Sequence, residues 1–162
     1  MTLYLLDANV LIRAHEDYYP VDRIPQFWSW LLEMADANTV KAPPEIYDEV
    51  TPSRGPFADW LKQEQVKASL ILNERADITR VQHILSREYA PDLDDIEVQQ
   101  IGQDPFLVAA AFAGVDRIVV TQEVSKRSQK RAKRKIPDVC GLFGIPVITP
   151  FALYRLLNFS IR

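Results

Sequence analysis

Short apolar runs that stop abruptly at a polar residue recur along this chain. They predict four β-strands, at Met1–Leu6, Val40–Ala42, Arg117–Thr121 (RIVVT) and Ile145–Thr149 (IPVIT). The first ends at Asp7, and its lack of alternation suits a strand buried on both faces of a parallel sheet. Asn9, just before Val10-Leu11-Ile12, is the expected N-cap of a short helix running to His15. Asp7 then falls at the carboxyl end of a strand, where open α/β sheets place their ligands.

Between these runs apolar residues recur at intervals of three and four. Pro25–Ala37 reads as a helix with Phe27, Trp30, Leu31 and Met34 on one face. Trp28 and Trp30 suggest a base-stacking platform, but the stripe as a whole reads as core. Pro43-Pro44 opens a helix carrying Glu49, and Phe57–Gln65 and Asp77–Tyr89 read as further helices. Ala68–Leu72 fits a strand or a helix, and the acidic stretch 91–101 a loop or a short helix. Asp104-Pro105 starts a helix that Gly114 ends, Pro137–Phe143 is another, and Phe151–Leu157 the last. Strand and helix alternating with short connections predict a parallel sheet with right-handed crossovers.

Length adds that the 162 residues form a single domain, 1–162. No apolar run is long enough to span a bilayer and no signal peptide is visible, so no membrane partner is expected. The single cysteine, Cys140, cannot form an internal disulfide, fits a cytoplasmic location, and reads as a buried thiol. Charge changes the picture more. Lys126–Lys135 (KRSQKRAKRK) holds seven basic residues and no acidic one, which leaves the rest of the chain at -10 against a whole-chain charge of -3. Such asymmetry favours a polyanionic partner.

Carboxylates gather at the ends of the predicted elements: Asp7, Glu49, Asp104, Glu123 and Asp138. Strand ends on one edge of a parallel sheet converge, so these groups can share a cleft. Hard divalent cations bind through a few such oxygens plus water and phosphate. Each residue also has a plainer role as a helix cap, a helix-dipole partner or a solvated side chain.

The stretches YLLDANVLI, PPEIYDEV, QDPFLVAAAFA, RIVVTQE, KIPDVC and FGIPVITPFALYRLL, in this order, resemble the PIN-domain nucleases. The likeness is closer still to an uncharacterised PIN-like subfamily. Residues 51–102 match least. The resemblance implies a three-layer α/β/α sandwich with a mainly parallel central sheet, and metal-dependent cleavage of RNA. By position, Asp7 looks like the first ligand of Mg²⁺ or Mn²⁺, Glu49 the second-helix acid and Asp104 the central ligand. Asn9 would be a polar neighbour, and Thr121 either a hydroxyl near metal or phosphate or a satisfied strand-end threonine. Glu123 stands where many PIN domains have aspartate, so the fourth ligand is Glu123 or Asp138. Lys126, Arg127, Lys130, Arg131, Lys133, Arg134 and Lys135 are the candidate nucleic-acid contacts. His15 and His83 lie outside the motifs and are not assigned as general bases.

The leading expectation is therefore a ribonuclease that is the toxin of a toxin–antitoxin pair, with RNA as substrate and a cognate antitoxin or a second copy of the chain as protein partner. The alternative is a catalytically silent PIN-like module that binds RNA or a protein. A phosphoryl-accepting receiver-like domain ranks last, because IPVIT is followed by Pro150 and not by lysine.

Overall fold

In the computed structural model, which describes residues 1–161, four strands form one wholly parallel sheet: β1 (Leu3–Leu6), β2 (Val40–Lys41), β3 (Arg117–Val120) and β4 (Val147–Ile148). Their order across the sheet is β2-β1-β3-β4. Leu5 and Leu6 pair with Val119 and Val120, and all four side chains are fully buried. That burial explains why the two central strands read as unbroken apolar runs. The chain leaves β1 toward one edge, for β2, and later returns to the other side of β1, for β3. The junction of β1 and β3 is thus a topological switch point, whose carboxyl end opens a crevice in folds of this kind.

Ten α-helices among the described residues flank the sheet, giving a three-layer α/β/α sandwich. They are α1 (Ala8–Arg13), α2 (Pro25–Asp36), α3 (Pro44–Val50), α4 (Pro56–Leu61) and α5 (Glu64–Leu70), then α6 (Ile78–Ile84), α7 (Asp95–Ile101), α8 (Asp104–Phe112), α9 (Ile136–Leu142) and α10 (Pro150–Leu156). Short π-helical turns extend α1 over 14–18 and α6 over 85–89. Helix α2 lies in the connection from β1 to β2, α3 to α8 in that from β2 to β3 and α9 in that from β3 to β4, and α2 packs on α5. The rings of Phe27 and Tyr154, 5.2 Å apart, join α2 to α10.

The aromatic stripe of α2 is core, as read, although its centre is shifted. Trp28 is fully buried and donates its indole N–H to the Tyr19 carbonyl (2.6 Å), whereas Trp30 and Met34 are only half-buried. The predicted helix 57–65 stops at Leu61, and Gln63, in extended backbone, starts α5 as a separate helix; the buried Tyr47 hydroxyl donates to the Leu61 carbonyl (2.5 Å). The ambiguous stretch 68–72 proves to be both things. It ends α5, then adds Ile71 to the sheet edge through a parallel bridge to Ala42. The acidic segment 91–101 becomes α7, started by a capping box between Asp94 and Glu97. His15 stacks on Phe57 at 4.8 Å, and its Nδ1 accepts from the Val21 N–H, a structural role.

Candidate active site

Asp7, not Asn9, caps α1. Its Oδ1 accepts from the Ala8 N–H at 2.7 Å, and its own N–H continues the β1–β3 ladder to the Val120 carbonyl. Both residue types cap helices well, and Asp7 prevails because the strand runs straight into the helix with no loop between. Asn9, the second residue of α1, is freed to reach the end of β3. Its Oδ1 accepts from the Gln122 N–H (3.1 Å), and its Nδ2 donates to Thr121 Oγ1 (3.4 Å).

Thr121 is the hub. It is 1% exposed, and its hydroxyl donates to Asp7 Oδ2 (2.7 Å) while accepting from the Glu123 N–H (3.0 Å) and from Asn9. One donor and two acceptor sites are then all used. Of the two roles open to it, Thr121 fills that of the satisfied strand-end threonine, with no lone pair left for a phosphate.

Asp7 is itself only 3% exposed. Burial pushes its carboxyl up to about 6, against the pull of Thr121 and with repulsion from Glu123 and Glu49 added. Asp104, in the first turn of α8, is pushed further, to about 8, by burial and then by the charges of Asp7, Glu123 and Glu49. Four carboxylates expected from the sequence are therefore brought within electrostatic reach of one another at the switch point. They come from the end of β1, from α3, from the start of α8 and from the loop after β3. Lys135 is the one cation that eases the repulsion on Asp104.

Glu49 is on the exposed side of α3, and the Gly102 backbone abuts its carboxylate: a side chain at 102 would begin 3.6 Å from Glu49 Oε1. Gly102 has φ +60°, a conformation that glycine adopts without strain, and it turns the chain directly into Asp104. Glu123 uses its extra methylene to reach the start of α9, where its Oε2 accepts from the Ile136 N–H (2.7 Å).

Asp138 does not join the group. Its carboxylate accepts from the Ser125 hydroxyl and from the Lys126 N–H (2.9 Å), and these bonds hold it below the ordinary carboxylate range. It staples the loop after β3, so of the two candidates for fourth ligand only Glu123 faces the other acids.

Two buried groups beside the carboxylates were not singled out from the sequence as site residues. The Tyr89 hydroxyl, raised by burial and then by Asp104 and Glu123, has no hydrogen-bond partner. Cys140, wholly buried, is pushed up to about 12 by burial and by Asp7, Asp104 and Glu123.

The donor chemistry of the group, carboxylate oxygens alone, suits a hard cation such as Mg²⁺ or Mn²⁺. Among the described residues, however, no three His, Cys, Asp or Glu side chains stand close enough together to hold an ion as they are placed. A surface depression of about 640 Å³, lined by Glu64, Lys67, Asn73 and Arg75 among others, shares no residue with the acidic group. No described helix is long and apolar enough to cross a membrane.

A family profile described as a domain of unknown function, DUF4411, matches residues 4–161. The chain belongs to this family. No curated protein and no solved structure matches it.

Proposed function

We propose that this DUF4411 chain is a metal-dependent ribonuclease of the PIN kind, hydrolysing RNA phosphodiester bonds, and that it is the toxin of a toxin–antitoxin pair. One observation carries the nuclease reading: Asp7 and Asp104, with Glu49 and Glu123, are crowded at the switch point until two of them hold their protons to about 6 and about 8. Crowded carboxylates cost stability unless a cation or a proton neutralises them. The toxin role rests on the PIN resemblance alone, as does the cognate antitoxin.

Asp7, Glu49, Asp104 and Glu123 would hold Mg²⁺ or Mn²⁺. When bound, the cation supplies charge stabilisation at the phosphate and a more acidic water. The chain's own residues do the rest. Ala8 and Thr121 fix both oxygens of Asp7. Asn9 locks the loop after β3 to α1, which keeps Glu123 on the same side as Asp7. Asp104 keeps its proton at neutral pH and must release it before it can act as a ligand.

The test is cleavage of structured and single-stranded RNAs by purified protein with Mn²⁺, with Mg²⁺ and with chelator. Asp7→Asn removes the charge without changing volume, and it should abolish cleavage while the fold survives. Mn²⁺ should raise the melting temperature of the wild type but not of that variant. The expected scale is about 2.7 kcal/mol at a hundred times the dissociation constant. Metal-independent cleavage, or equal shifts in the two proteins, would defeat the reading. The second reading, a silent module that binds RNA or a protein partner, is favoured by the lack of any three-carboxylate cage among the described residues as the side chains stand. RNA binding without cleavage under every metal condition would establish it.

A further inference from the structure

The basic run divides into two sets of side chains with different work. Arg131 is committed: its guanidinium donates to Glu97 at 2.9 Å through two nitrogens, and to the Asp92 carboxylate at 2.8 Å. Arg134 donates to the Glu88 carbonyl (2.6 Å), with the Glu88 carboxylate 4.0 Å away. These two arginines pin the run onto the acidic segment between α6 and α7. Lys126, Arg127, Lys130 and Lys133 are exposed and make no ion pair among the described residues.

Pinning has a geometric result. It brings Arg127 and Lys130 beside Arg87, from the turn that extends α6, in a depression of about 410 Å³. Arg131 and Arg134, already paired with carboxylates, complete its wall, and Arg87, Arg127 and Lys130 are its uncommitted cations. On a body this acidic, such a local cluster of cations favours a polyanion. Arg87 stands 39 positions before Lys126 in a different element, and nothing in the spacing of the basic run points to it.

Tyr89 connects this depression to the acidic group. It lines the depression, it is 6% exposed, and its partnerless hydroxyl lies within electrostatic reach of Asp104 and Glu123 as well as of Arg134.

We propose that this depression binds the phosphodiester backbone of single-stranded RNA next to the scissile phosphate, with Arg87, Arg127 and Lys130 as the phosphate-binding cations. Arg131 and Arg134 are positioning residues that build the depression. This rests on the nuclease reading for the identity of the polyanion, but its test does not depend on cleavage.

The experiment measures binding of a labelled single-stranded RNA to the full-length chain by fluorescence anisotropy, in chelator, across a series of salt concentrations. The triple variant R87Q/R127Q/K130Q is compared with R23Q/R75Q/R155Q, which removes the same charge from exposed positions elsewhere. Each lost phosphate contact should flatten the plot of log affinity against log salt by about 0.7, so the first variant should lose roughly two in slope. The second should keep the wild-type slope. R87Q alone should lose about 0.7, which guards against a fold defect in the triple variant. Equal losses in both triple variants would mean that only net charge matters and would overturn the proposal, as would unchanged binding in the first. Retained RNA affinity together with lost affinity for an acidic peptide would reassign the depression to a protein partner and overturn it too. Failure of the nuclease reading has a different signature: the salt slope behaves as expected while no metal supports cleavage.

Discussion

The Thr121 hydroxyl donates to Asp7 Oδ2 over 2.7 Å, joining residues 114 positions apart in the chain. This bond closes the switch point, since it ties the end of β3 to the cap of α1. A buried carboxylate oxygen stripped of its donor costs about 1–3 kcal/mol, so Thr121→Val should lower stability by that amount in a denaturant titration at neutral pH. Thr121→Ser, which restores the hydroxyl, should recover most of it. Melting of the valine variant at the wild-type midpoint would show that the bond contributes nothing.

Charge crowding makes a prediction with a definite sign. Asp7 and Asp104 are raised from 3.8 to about 6 and about 8, so the folded protein holds more protons than the unfolded chain across that interval. Stability of the metal-free protein is therefore greatest at the acid side of the window and is lost as the pH rises from about 4 through about 8. Asp104→Asn should flatten this loss and be more stable than the wild type at pH 8 in chelator. The difference between the two proteins is the quantity to read, because groups depressed by their partners, such as Asp138, act equally in both. A difference independent of pH would contradict the crowding.

The fold and the acidic group were legible in the sequence to different degrees. β1, β3 and α8 could be read because their residues are buried on nearly all sides, which leaves continuous apolar runs. Asp7, Glu49, Asp104 and Glu123 could be read because each ends or starts such an element, and element ends on one sheet edge meet. The cap of α1 is Asp7 and not Asn9: both residue types cap well, and the direct passage from β1 into α1, with Asn9 drawn to Gln122 and Thr121, decides between them. Asp138 sits in the first turn of α9, as read, but its direction depends on where Ser125 and Lys126 fold back. Arg87 and Tyr89 could not be found from spacing, because their partners come from the loop after β3.

Loading a cation must displace protons if Asp104 is a ligand. At neutral pH the cation-free Asp104 is largely protonated, so binding of Mn²⁺ should release ~1 proton for each ion bound, readable in weakly buffered solution. Asp104→Asn should release fewer. Binding with no proton release would place the ion away from Asp104.

Cys140 is fully buried and its thiol is pushed up to about 12. A thiolate-selective reagent should therefore leave the native protein unmodified and react once the chain is unfolded in urea. Rapid labelling of the native state would mean that α9 opens readily beside the acidic group.

Arg131 adopts φ +55°, a left-handed backbone that a side chain disfavours, and it is also the residue whose guanidinium reaches Asp92 and Glu97. The two facts fit together if the ion pairs hold the strained turn in place. All three side chains have solvent access, so global melting should hardly change when the clamp is cut. Local order should change instead. Arg131→Gln keeps the strain and loses the clamp, and amide exchange across 126–135 should become faster. Arg131→Gly loses the clamp and the strain together, so its exchange should lie between those of the glutamine variant and the wild type. Arg131→Lys keeps the charge but not the fork that bonds two carboxylates, and it should behave more like glutamine than like arginine. If the glycine variant exchanges as fast as the glutamine variant, backbone strain plays no part, and the clamp alone sets the order of the basic run.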